Sequence, residues 1–124
     1  MAMSKKVSIA EDEDQIRMVI KSAIETDDYE IYEARDGLEA LDIAQRVKPD
    51  LLILDVMMPG KNGYQVCETL RADQECKNIY ILFLTGRSMQ KAKETVQECG
   101  GDDFMENPFD IKELKEKVIA ILGS

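Results

Sequence analysis

Short apolar runs alternate with helical patterns along the whole chain. Val7-Ser8-Ile9-Ala10 reads as a short first strand. From Asp14, which is read as the helix cap, Ile16, Val19, Ile20, Ala23 and Ile24 recur at the spacing of one helix face. Tyr29 to Ala34 is rich in strand-forming residues. Asp36-Gly37 marks a turn, and Leu38, Leu41, Ala44 and Val47 then line a second helix that stops before Pro49. Leu51-Leu52-Ile53-Leu54 is apolar at every position, the pattern of a central parallel strand covered by helices on both faces. Pro59, Gly60 and Gly63 punctuate a loop, after which Val66, Cys67 and Leu70 seed a third helix. Tyr80 to Leu84 is another apolar strand. Met89, Ala92, Val96 and Cys99 outline a fourth helix with a thin apolar face, ended by Gly100-Gly101. Asp103-Phe104-Met105 is a short last strand. Asp110 and Glu113 form a capping-box-like start to a helix lined by Ile111, Leu114, Val118 and Ile121.

Five strand-helix units with no repeat and no linker predict a single domain over residues 5–122. Right-handed crossovers make such a chain a doubly wound α/β fold, and the common solution is a five-stranded parallel sheet of order 2-1-3-4-5. Ligands in this architecture sit beyond the carboxyl ends of the strands, at the switch point between the first and third.

Composition narrows the function. The chain has 124 residues, 44% of them apolar and 33% charged, which is globular rather than disordered. Its net charge of −9 repels nucleic acid and anionic lipid and suits cations or basic protein surfaces. No apolar run is long enough to span a bilayer. There is no histidine, which removes His-based triads and His-ligated zinc sites. Cys67, Cys76 and Cys99 form no C-x-x-C pair, and no secretion signal is visible, so reduced packing thiols in the cytoplasm are expected.

The strand ends carry the chemistry. The first is followed by Glu11-Asp12-Glu13-Asp14, the third ends in Asp55, the fourth in Thr85-Gly86, and the fifth leads into Glu106-Asn107-Pro108. In the predicted fold Glu11, Asp12 and Asp55 converge. Three close carboxylates raise one another's pKa unless a cation neutralises them, and an oxygen-only cage with room for water suits Mg²⁺. A carboxylate beside Mg²⁺ in an exposed crevice can attack a phosphoryl group and become an aspartyl phosphate. Rival phosphate chemistry fits poorly. No P-loop motif occurs, the acidic first loop would repel a flavin phosphate, and Met57 stands where a dehalogenase-type phosphatase would need a second acid.

The stretches V-S-I-A-E-D-E, P-D-L-L-I-L-D-V-M-M-P-G-K-N-G, I-L-F-L-T-G and D-D-F-M-E-N-P-F together resemble the receiver domain of two-component response regulators, from Val7 to Leu122. That resemblance implies a flavodoxin-like three-layer sandwich. It implies that Asp55 accepts a phosphoryl group from a sensor histidine kinase or phosphotransfer protein. It also implies Mg²⁺ held by Glu11, Asp12, Asp55 and the Met57 carbonyl, a Thr85 hydroxyl on the phosphoryl group, and Phe104 as a switch aromatic. The output surface would be the fourth helix, fifth strand and fifth helix, a face through which a monomer could also pair weakly. The implied protein is cytoplasmic, binds an unidentified downstream protein, and is a phosphoacceptor rather than an enzyme. With no output domain after Leu122 it resembles a stand-alone receiver. One position departs from the pattern: Asn107 stands where the family usually carries lysine. This keeps a second function open, a receiver-like interaction module that works without phosphorylation.

Overall fold

The computed structural model describes residues 4–86, 89–106 and 109–123. Ten elements alternate: β1 (Lys5–Ala10), α1 (Asp14–Ile24), β2 (Tyr29–Ala34), α2 (Gly37–Val47), β3 (Leu51–Asp55), α3 (Gly63–Ala72), β4 (Tyr80–Thr85), α4 (Met89–Cys99), β5 (Asp103–Glu106) and α5 (Ile111–Leu122). All strand pairs are parallel and the sheet order is β2-β1-β3-β4-β5. The fold is the doubly wound one expected from the alternation.

The central strands show why their sequences are apolar at every position. Leu51 and Ile53 point into a core shared with α1 and α5, where Ile20, Ile24, Leu114 and Val118 are buried. Leu52 and Leu54 point into the opposite core, built with Ala40, Ala44, Val66 and Leu70 of α2 and α3. Side chains alternate across a strand, so a sheet covered on both faces needs hydrophobes at both parities.

Among the described residues, three helices start on side-chain caps. Asp36 accepts from the Glu39 amide, Asn62 and Gln65 form a reciprocal capping box, and Asp110 accepts from the amides of Lys112 and Glu113. The first helix differs from expectation. Glu13, not Asp14, occupies its cap position and makes no side-chain cap bond, while Asp14 lies in the first turn and pairs with Arg17. The guanidinium competes for the Asp14 carboxylate and wins, because the pair adds full opposite charges to the hydrogen bond. Three apolar positions also differ. Val19, Leu38 and Ile111 are exposed, at 43%, 62% and 52%. A helix face at 3.6-residue spacing is wider than the stripe that one sheet can cover, so its flanks reach solvent.

Two close approaches place the loop after β3. A Cβ on Gly63 would stand 2.5 Å from the Asp55 carbonyl oxygen, and one on Gly37 would stand 2.0 Å from the Lys61 carbonyl oxygen. Only glycine lets the starts of α3 and α2 pack against this loop. The Gly63 amide also donates to the Val56 carbonyl at 2.9 Å. The backbone directly behind Asp55 is thereby held from one side.

Candidate functional site

Asp55 is the last residue of β3, and Glu11 and Asp12 directly follow β1, its neighbour in the sheet. Parallel pairing aligns these carboxyl ends. Carboxylate oxygens from Glu11, Asp12 and Asp55 all lie within 4.8 Å of one another. Glu11 is buried at 2% exposure, Asp55 and Asp12 are half-buried. Among the described residues no lysine or arginine forms an ion pair with any of the three.

The electrostatics follow from that crowding. Burial pushes the Glu11 carboxyl up to about 7 against the pull of the Glu13 amide on it, and the nearby Asp55 and Asp12 add to the rise. The Glu13 amide donates to Glu11 Oε2 at 2.9 Å. Burial likewise pushes Asp55 up to about 6, with the Asp12 charge adding to it. The amides of Met57 and Val56, and a hydrogen bond with Glu11, work in the opposite direction. A site that holds protons on carboxyls near neutral pH is short of positive charge. Its donor set is all oxygen and its members sit on different strand ends, which fits a small hard cation that keeps several waters.

Thr85 ends β4 next door. Asp55 is in register with Leu84, so Thr85 lies one residue beyond Asp55 on the neighbouring strand, and it is buried at 1%. Phe104 is in register with Phe83, and Thr85 with Glu106. Phe104 is therefore two places before Thr85's partner and on the same face of the sheet, half-buried against the α2–α4 core. Met57 is 72% exposed beside the crevice, whereas Met58 turns into the core at 8%. Asn107 lies outside the described residues.

Two surface features went unread in the sequence. Met18, Val19 and Ile111 stay exposed and line an apolar groove of about 460 Å³ between α1 and α5. The signal was available: α1 carries more hydrophobes than one face can bury. A second cavity of about 410 Å³ runs along β5 and the start of α5, edged by Asp103, Glu106, Asp110 and Glu113 around Phe104 and Phe109.

A model of the response regulator receiver domain family matches residues 7–119. The chain belongs to the response-regulator receiver family. It is 39% identical over 120 residues to the alkaline phosphatase synthesis transcriptional regulatory protein PhoP of Bacillus subtilis, covering 97% of this chain and 49% of that protein. It is 38% identical over 118 residues to the probable transcriptional regulator ycf27 of Cyanophora paradoxa, covering 95% of this chain and 48% of that protein. This receiver spans about half the length of the curated relatives it matches. Among solved structures it superposes on the chemotaxis response regulator CheY4 of Vibrio cholerae with a TM-score of 0.88 at 28% identity, covering 96% and 99% of the two chains. The receiver domain of Francisella response regulator 1452 gives 0.87 at 29% identity, covering 97% and 98%. Among the described residues of this receiver no helix is long and apolar enough to cross a membrane.

Proposed function

We propose that residues 5–122 act as one cytoplasmic phosphoacceptor unit of a two-component pathway. Asp55 receives a phosphoryl group from a sensor histidine kinase or phosphotransfer protein, with Mg²⁺ in the Glu11-Asp12-Asp55 pocket. The observation that carries this reading is the convergence of three carboxylates on one crevice, none of them ion-paired to a lysine or arginine among the described residues. The Met57 carbonyl completes the proposed ligand set. Mg²⁺ held by these residues would supply positive charge that offsets the carboxylates and the charge on the transferring phosphoryl group.

The chain's own residues perform the rest. The amides of Val56 and Met57 hold the Asp55 carboxylate in place. One Asp55 oxygen attacks phosphorus in line, a P–O bond forms, and the P–N bond to the donor histidine breaks with its electron pair leaving on the imidazole. The Thr85 hydroxyl donates to a phosphoryl oxygen. That contact draws the end of β4 toward Asp55 and opens space on the same sheet face, into which Phe104 turns. The read-out surface is α4, β5 and α5, facing a downstream protein. The unit assists its own phosphorylation and dephosphorylation but turns over no separate substrate.

Asn107 sets the efficiency. A lysine about 4 Å from a phosphoryl charge is worth on the order of 4 kcal/mol at an effective dielectric of ~20, before desolvation. Moving a switch from 1:99 to 99:1 takes about 5.5 kcal/mol of differential stabilisation. With asparagine in that place, phosphorylation is slow and the shift of α4 is incomplete. Asn107→Lys is expected to speed phosphorylation at least tenfold, and an unchanged rate would remove Asn107 from this account.

The deciding experiment treats the protein with Mg²⁺ and either acetyl phosphate or a phosphorylated histidine kinase. Hydroxylamine-labile phosphate should appear on the chain and vanish in Asp55→Asn. Absence of any acyl phosphate, with target binding intact, would favour the phosphorylation-independent module instead.

A further inference from the structure

Arg17 is a cation buried to 7% exposure, and its three guanidinium nitrogens make three different contacts. Nη1 donates to the Glu11 carbonyl oxygen at 2.8 Å, Nε donates to Glu33 Oε1 at 3.1 Å, and Nη2 donates to Asp14. One side chain thus ties the end of β1 to the first turn of α1 and to β2. The Glu11 carbonyl belongs to the peptide that joins Glu11 to Asp12. Its rotation decides where both carboxylates point.

The surrounding bonds leave that peptide to Arg17. The Glu11 amide is held by the Ala34 carbonyl at 3.0 Å, and the Glu13 carbonyl accepts the Arg17 amide at 3.0 Å. The segment is pinned before and after the Glu11–Asp12 peptide, and Nη1 fixes the peptide itself. The guanidinium commits three of its five N–H donors to two carboxylates and a carbonyl. It shapes the pocket without neutralising it. A lysine has one ammonium on a flexible stem and cannot hold these three directions in a rigid fork.

We propose that Arg17 is a positioning residue for the cation and phosphoryl pocket, acting through the Glu11 carbonyl, with Glu33 orienting the guanidinium. This rests on reading Glu11, Asp12 and Asp55 as a divalent-cation site. Residues that orient metal ligands from behind typically change metal affinity by ten- to a hundredfold when removed.

The test uses Mn²⁺ alone as the probe, with free Mn²⁺ read by electron paramagnetic resonance, on the full chain well below each variant's melting temperature. Arg17→Lys and Arg17→Met are each expected to weaken Mn²⁺ binding about tenfold. Glu33→Gln should weaken it two- to threefold, and add nothing further in the Arg17→Lys background. Asp14→Asn, which weakens the guanidinium's other carboxylate contact, should likewise weaken it two- to threefold. A purely structural Arg17 would lower the melting temperature and leave the Mn²⁺ dissociation constant within twofold, and that result overturns the proposal while the cation site stands. If the wild type takes up no Mn²⁺, the cation site and the role of Arg17 fall together. Should Arg17→Met not fold, Arg17→Lys and Glu33→Gln decide the matter.

Discussion

The two ends of the sheet handle charge in opposite ways. At the amino end, Arg71 leaves α3 and donates to the carbonyls of Lys77, Ile79 and Gly100 at 3.0, 2.8 and 2.7 Å, and to Asp102 at 2.8 Å. Asp102 in turn accepts the Ile81 amide at 2.8 Å. One cation closes the approaches to β4 and β5, and its acceptors are arranged around it. At the carboxyl end, three carboxylates face one another with no cation among the described residues, and burial holds two of them well above their ordinary range. The first end is built for architecture. The second stores repulsion that a bound cation or a proton relieves, which is what an exchangeable ligand site requires. Keeping the two apart lets the protein carry a strained site without giving up the sheet beneath it.

If this division is right, the largest stability effect comes from the satisfied end. Arg71→Ala removes four charge-assisted hydrogen bonds and should cost about 3–4 kcal/mol in urea unfolding while Mn²⁺ affinity stays near wild type. A large loss of cation binding would mean that the two ends are mechanically coupled.

The strained end should show itself through pH. The folded-state pKa of Glu11 is raised from 4.5 to about 7, so the folded form holds this proton more tightly than the unfolded chain. The stability contributed is full below about 4.5 and is lost as pH rises through about 7, a loss on the order of 2–3 kcal/mol. In metal-free buffer, Glu11→Gln should therefore unfold like wild type near pH 4.5 and be the more stable protein near pH 8. Added Mg²⁺ should close that gap by stabilising wild type. Equal stabilities at pH 8 without metal would show that the buried, crowded Glu11 charge carries no penalty.

The smallest effect is expected where opposite charges meet near the surface. Lys117 pairs with Asp103 at 2.6 Å with both side chains about one-third exposed. Lys117→Met should cost about 0.5–1 kcal/mol in the same unfolding assay, since solvent screens such pairs. A cost near that of Arg71→Ala would erase the distinction between an organised hub and an ordinary ion pair.

Much of this was legible along the chain. The apolar run Leu51–Leu54 announces a strand covered on both faces, and Asp110 marks a helix start that the structure confirms as a cap, whereas the caps at Asp36, which reads as a turn, and at Asn62 emerge only in the structure. Asp14 was misread because a first-turn acid and a cap look alike until the partner three residues on is seen to be buried. Arg17 gave no sign of its role. A lone arginine in an amphipathic helix reads as solvated, and only the packing of β2 beside β1 brings Glu33 and the Glu11 carbonyl to it.

By itself the order of residues determined the ten elements, their alternation, the acidic balance and the types of side chain waiting at each strand end. These are local properties: periodicity, capping chemistry and composition act over a few residues at a time. The strand order foretells that Glu11, Asp12 and Asp55 converge, but tertiary structure alone decided how deeply they are buried and that burial raises the carboxyls of Glu11 and Asp55 above their ordinary range. It also decided that Arg17 faces inward. Proximity and desolvation arise from which strands pair and in what register, and no stretch of chain carries that information until the others have packed against it.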